Sequence, residues 1–224
     1  KPEVIYNTAT GFTADTFEQV TAADPTQIIA VNQAVDSRTK GSLEEIAPTT
    51  VKPNGYEDWQ VPWEKQVETI ADAVGKEDEG DKLIDDTEKA FEEFRHEHAE
   101  LQDKSAAIVM PYDGKIGLYT EEDGRGQFIE DLGMEIPDAL QGDGGSFFVD
   151  IAPENYAKLN QVDYLFVLDY NGSSDALKKD KTFQGLDIVK DDRVRYLDTD
   201  TGNAMSMPNP VTIPWAVDKF EEKL

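Results

Sequence analysis

The chain has 224 residues, 38% hydrophobic and 9% aromatic, which is enough apolar material for a packed core and too much for a disordered chain. A formal net charge of −26 repels phosphate backbones and excludes nucleic acid as a partner; it favours cationic surfaces such as a membrane protein presenting arginines, and salt adaptation would account for it equally. The absence of cysteine excludes disulfides, thiolate zinc sites and a Cys nucleophile, and no apolar run approaches the roughly 18 residues of a membrane-spanning helix.

Taken in chain order, "EVIYN" reads as a short strand, and the abrupt start at Lys1 leads to the expectation that an N-terminal portion has been removed. Asp15 and Glu18 have capping-box spacing at the head of a helix, with Phe17 and Val20 facing inward, and "IIAV" follows as a buried strand. "GSLEEIAPTTV" predicts a short helix broken at Pro48 and then a strand. "NGYEDWQVPW" is a turn-rich aromatic loop, and an amphipathic helix from Val61 to Val74 stops at Gly75. The next segment is the most regular: Leu83, Ile84, Thr87, Ala90, Phe91, Phe94, His98 and Leu101 recur at helical steps, predicting one long helix from about Glu79 to Gln102 with an acidic outer face.

Beyond it come strand "AAIVMP", strand or turn "GKIGLY", helix "GQFIEDLG", loop "GDGGSFF", helix "PENYAKL" and strand "DYLFVLDY". Short helices at "SSDALKK" and "FQGL", a strand "RVRYL" and a closing helix "TIPWAVDKFEEKL" complete the pattern. Helices alternating with apolar strands indicate an α/β fold with mainly parallel sheets. "FEQVTAADPTQIIAV" (17–31) and "PENYAKLNQVDYLFV" (153–167) align without a gap, Glu18 on Glu154, so the same helix–strand unit occurs on either side of the long helix. The expected organisation is an N-terminal lobe over 1–75, a linker helix over 76–104 and a C-terminal lobe over 105–224.

Several stretches resemble one family. "TFEQVTAADPTQIIAV", "LEEIAPTTV", "WEKQVETIADAVGKEDEGDKLI", "FIEDLGMEIP", "VDYLFVLDY" and "TFQGLDIVKDDRVRYLD" resemble, in order, the motifs of ABC-transporter substrate-binding proteins for ferric siderophores, haem and cobalamin. The resemblance implies two α/β lobes bridged by a single long helix, with an incomplete N-terminal lobe here and a ligand held in the cleft between lobes. It implies a monomer with no cofactor and no catalysis. The ligand would be a ferric siderophore, captured with modest closure and passed to an ABC permease. The location would be extracytoplasmic, at the cell surface or in the periplasm, with a lipid anchor in the missing segment. Thr26 stands where the family has Asp, and Ala152 where it often has Ser. Glu18 and Glu154 match the surface glutamates that dock to permease arginines; as carboxylates in first helical turns they would also offset the macrodipole.

Chelate oxygens around ferric iron carry partial negative charge that an arginine fork meets. Among Arg38, Arg95, Arg125, Arg193 and Arg195, the candidates are Arg38, just after "IIAV", and Arg125, before "QFIEDLG", both in loops or helix starts where α/β folds present ligands. The competing reading for each is solvated surface charge, and Arg95 belongs to an intrahelical ion pair. Tyr56, Trp59, Phe147, Tyr170 and Met205 are the candidate apolar ligand contacts, whereas Trp63 and Phe148 are assigned to the core. Phe12 falls near a loop where some relatives place a ligand-binding arginine.

Other classes fit less well. The only histidines, His96 and His98, point to different faces of one helix, which suits neither an enzyme nor a zinc or manganese carrier. "DTDTGN" at Asp198 imitates the start of a calcium loop but has Gly202 at a ligand position and Asn209 at the terminal-Glu position, so it reads as a turn. "GRG" and "GDGG" are too short for a dinucleotide fingerprint. Haem or cobalamin is the alternative ligand within the resembled family, since Tyr and Met offer axial ligands.

Overall fold

A computed structural model describes residues 11–224, and the expected strand at "EVIYN" lies outside them. The chain divides into two compact units, Lys1–Asp81 and Lys82–Leu224.

In the first unit, α1 (Ala14–Ala22) is capped by Thr13, whose hydroxyl accepts from the Thr16 N–H in a Thr13–Thr16 capping box. The expected Asp15–Glu18 box is therefore displaced by one that starts two residues earlier. Strand β1 (Ile28–Ala30) follows, then α2 (Ser37–Glu44), which starts ahead of the expected "GSLEE" because the Asp36 carboxylate accepts from the Thr39 N–H at 2.7 Å. β2 (Thr49–Val51) pairs with β1 in parallel, Ile29 opposite Thr50. α3 (Trp63–Val74) ends on Gly75 at φ +67°, a left-handed stop that glycine adopts without steric cost. Trp63, Leu43, Val31 and Ala71 are buried here.

α4 (Glu77–Glu97) crosses the division between units. A Cβ at Gly80 would lie 2.5 Å from the Ala71 Cβ, so glycine lets α4 approach α3. The helix stops short of the expected Gln102 because His98 leaves helical geometry, and a short 3-10 turn, Ala99–Leu101, follows.

The second unit is built on a five-stranded mixed sheet. β3 (Ala106–Tyr112) and β4 (Lys115–Tyr119) form a hairpin whose turn is Asp113-Gly114, both at positive φ as a tight two-residue turn requires. After α5 (Gly124–Asp131) comes β5 (Phe148–Ile151), which adds to β4 antiparallel where the sequence suggested only a loop. The "PENYAKL" segment is a 3-10 helix, Pro153–Gln161, leading to β6 (Tyr164–Asp169). Three four-residue helices, α6 (Ser174–Leu177), α7 (Lys181–Gln184) and α8 (Asp187–Lys190), precede β7 (Val194–Asp198). α9 (Thr199–Ser206) and α10 (Thr212–Glu221) close the unit. The sheet order is β5-β4-β3-β6-β7, with β3, β6 and β7 parallel. "DTDTGN" is not a turn but the start of α9: the Asp198 carboxylate caps it, accepting from the Thr201 N–H at 2.9 Å.

Alternation along the strands sorts side chains onto two faces. One carries Ala107, Val109, Ile116, Leu118, Leu165 and Val167, packed with Tyr156, Leu159, Phe183 and Ile188. The other carries Ile108 and Phe166, and Phe166 meets Phe220 of α10 at 4.5 Å. Phe220 in turn contacts Phe94 and Phe128, and Phe91 packs edge-on against Phe128 at 5.4 Å. Each such fully buried ring contributes roughly 1.5–3 kcal/mol. This cluster holds the second half of α4 and α5 to the unit.

Candidate functional site

Toward the β4–β5 edge, the face that carries Ile108 presents aromatic side chains. Met110 and Tyr112 on β3, Gly117 and Tyr119 on β4, and Phe148 on β5 share it by strand period and register: Met110 lies opposite Gly117, and Tyr119 opposite Phe148. The rings form a strip. Tyr112 and Phe148 are 5.5 Å apart, Phe148 and Tyr119 5.3 Å in an edge arrangement, and Phe147 lies 6.4 Å from Phe148. The Tyr119 hydroxyl donates to Met110 Sδ at 3.6 Å.

A cation stands at each end. The Arg125 guanidinium lies 4.0 Å from the Tyr119 ring centroid, and Lys115 Nζ lies 5.0 Å from that of Tyr112. A cation in the first turn of a helix opposes the macrodipole. Arg125 is held there by Asp123, the N-cap of α5, whose carboxylate accepts from the Arg125 backbone N–H at 2.9 Å and from Nη1 at 2.9 and 3.0 Å. Gly126 is required one residue on, because a Cβ there would fall 1.9 Å from the Thr120 carbonyl oxygen. At the other end, Lys115 and Tyr112 both donate to the Asp150 carboxylate. Both cations are therefore charge-compensated.

Tyr170, directly after β6, is half-buried, and its ring lies against Gly202 of α9, where a Cβ would fall 2.9 Å from Oη. Its hydroxyl acts electrostatically on Arg125 without reaching hydrogen-bond geometry: Tyr170 Oη and Arg125 Nε are both buried and without a hydrogen-bond partner. Burial pushes the Tyr119 phenol up to about 12, against the opposing pull of Arg125. Burial also raises the Asp123 carboxyl above its ordinary value, although Arg125 draws it down. Burial lowers the affinity of Arg125 for its proton, but Asp123 and the two tyrosines outweigh this and hold its value above the ordinary one.

The structure thus brings together three of the sequence candidates, Arg125, Phe147 and Tyr170, within the second unit. Met205 is fully buried in α9, while Met207 after it is exposed. Phe148, assigned to the core from sequence, is instead the centre of the strip. In the first unit, Arg38 is exposed in the first turn of α2, Tyr56 is half-buried, and Trp59 is 39% exposed at a left-handed φ of +68° in the loop before α3. Glu18 and Glu154 are both exposed. Glu154 lies in the first turn of its helix as expected, but Glu18 does not, since α1 starts at Ala14. Tyr112, Tyr119, Met110 and Gly117 were missed in the sequence. The signal was available: a DG turn between two alternating runs puts Tyr112 and Tyr119 on one face. Among the described residues no group of His, Asp and Glu side chains could hold a metal ion, and no helix is long and apolar enough to cross a membrane.

Comparison with known proteins agrees with this architecture. The family model described as periplasmic binding protein matches residues 7–201. The iron-uptake ABC transporter substrate-binding protein PiaA from Streptococcus pneumoniae TIGR4 superposes with a TM-score of 0.80 at 25% identity, covering 97% of this chain and 75% of that one. PiaA in complex with ferrichrome gives 0.78 at 25% identity, covering 92% and 71%. FhuD2 from Staphylococcus aureus with bound ferrioxamine B shares the fold, with a TM-score of 0.69 at 20% identity over 93% and 79%. No curated protein matches. The match of the family model over most of the sequence and the shared α/β fold lead to one conclusion: the chain belongs to the periplasmic binding protein family, whose members are substrate-binding proteins and not enzymes.

Proposed function

We propose that this chain is the extracytoplasmic substrate-binding component of an ABC importer, that its ligand is a ferric siderophore, and that the aromatic strip with Arg125 and Tyr170 forms part of its binding site. The observation that carries the reading is the likeness, at 25% identity, to an iron-uptake substrate-binding protein whose structure is also determined with ferrichrome. The strip supports it chemically. Tyr112, Phe147 and Phe148 offer apolar contact to the organic shell of a chelate, and the partly exposed Arg125 guanidinium places positive charge beside it, toward the oxygens around the metal. The exposure of both Glu18 and Glu154 supports a role for the two in docking to the permease.

The charge state narrows the ligand. Asp123 compensates Arg125 and Asp150 compensates Lys115, in a chain of net charge −26. A trianionic tris-catecholate finds no surplus positive charge here, whereas an uncharged tris-hydroxamate complex does not need it. The test is a tryptophan-fluorescence titration against ferric hydroxamate, catecholate and citrate complexes, with haem, cobalamin and the iron-free chelators as controls. Saturable quenching by the uncharged ferric class at micromolar affinity or tighter is the expected result. Saturation by haem or cobalamin alone, or by none of the panel, would overturn the reading.

A further inference from the structure

Gly117 sits in the middle of β4 and is buried, yet its backbone lies outside the left-handed region that reserves a position for glycine. Mid-strand glycine weakens a sheet through backbone entropy and lost side-chain packing, so its presence asks for a reason. The reason is visible in what covers it. A Cβ built on Gly117 would fall 1.8 Å from Cζ, 2.1 Å from Cε2 and 2.9 Å from Cε1 of Phe148. The ring occupies the space of the missing side chain. From that seat it touches Tyr112 on one side and Tyr119 on the other, and Tyr119 in turn carries Arg125.

We infer that Gly117 is a positioning residue for ligand recognition: by having no side chain it seats the tip of the Phe148 ring over the strand, and the seated ring links the half-buried Tyr112 to the buried Tyr119 on which Arg125 rests. The inference rests on the proposed siderophore-binding reading. The competing explanation is purely structural, in which the ring shields a bare strand from water and the ligand is indifferent to it. The two differ in what a methyl group does. With Gly117→Ala, the ring must leave its seat, because the atoms it would meet are a Cβ and a strand backbone, neither of which can yield.

The experiment compares Gly117→Ala, Phe148→Ala and the double variant, reading the dissociation constant for the ferric chelate that the wild type binds and the melting temperature of each. The positioning role predicts that Gly117→Ala weakens binding about tenfold, equivalent to about 1.4 kcal/mol. Phe148→Ala should weaken it similarly, and the double variant no further than either, since both lose the same seated ring. The double variant should also melt above Gly117→Ala, because the new methyl then fills the space the ring vacated. If Gly117→Ala lowers the melting temperature but leaves the dissociation constant within about twofold of wild type, well under the tenfold step, Gly117 is structural only and the inference fails while siderophore binding stands. If the two single effects multiply in the double variant, the inference fails as well. A wild type that binds no ferric chelate overturns the proposed function itself.

Discussion

Replacing Arg125 with Met tests the electrostatics of the site directly. The Arg125 and Asp123 side chains are 16% and 11% exposed, so the pair is shielded from solvent on most sides. Removing one partner of a buried pair strands the other, at a cost of about 3–5 kcal/mol, and residual exposure places this one near 3. Transitions of this size of chain move by about 2–4 °C per kcal/mol, which gives a drop of about 6–12 °C in melting temperature at pH 8. The pH dependence follows from Asp123. Its folded value is already raised above 3.8 by burial, and loss of Arg125 removes the cause that draws it down. A raised carboxyl is least costly below its unfolded value and becomes costly as pH climbs through the folded one. The gap between Arg125→Met and wild type should therefore narrow from pH 8 to pH 4.5. Adding Asp123→Asn, which keeps a capping oxygen at the start of α5, should restore most of the loss at pH 8. Thermal melts followed by circular dichroism at the two pH values decide the matter. A variant within about 0.5 kcal/mol of wild type at pH 8, the ordinary range for surface substitutions, or a gap independent of pH, would refute the buried-pair account.

Two further outcomes follow from titrating groups in the second unit. His98 bonds Glu221 at 2.9 Å; burial works to lower its value, but Glu221 and Glu100 outweigh it and raise it above 6.5. Its contribution to stability is full below 6.5 and fades as pH rises through the folded value, so the melting-temperature difference between wild type and His98→Gln should be larger at pH 5.5 than at pH 8.5. Ultraviolet titration should show one fewer un-ionised phenol at pH 11 in Tyr119→Phe than in wild type, in keeping with the Tyr119 value of about 12; equal ionisation of the two at pH 11, apart from the lost residue, would contradict the burial of that ring.

Most of the fold was legible because its signals are periodic. The apolar stripe of α4, the buried runs of β3 and β6 and the glycine stop after α3 each follow from spacing and residue type. What escaped notice depends on partners distant in sequence. β5 is a strand because β4 offers it an edge, and "SFFVDI" follows a glycine-rich loop that dominates any local reading. Phe148 looks like core because Phe usually is, and only the bare Gly117 across the ladder shows that it lies on a surface. Arg125 was identifiable from its place at the start of α5, but not the Tyr119 ring beneath it, since residues six apart meet only because the chain turns at Thr120–Asp123 between β4 and α5. Met205 and Met207 are two residues apart and equivalent in composition; the C-terminal end of α9 decides that the first is inside and the second outside.

The tight Asp113-Gly114 turn has a consequence for how binding preference evolves. It folds the stretch 110–125 back on itself, so that Met110, Tyr112, Gly117, Tyr119 and Arg125 gather from one short piece of chain, and Phe148 and Tyr170 are added from elsewhere. The residues that alternate with them, Val109, Ile116 and Leu118, face the opposite core. Drift at every second position of this hairpin reshapes the surface without disturbing the packing behind it. On the proposed binding reading, a lineage changes its cargo through a few neighbouring codons, and recombination across that short segment transfers much of a preference between relatives.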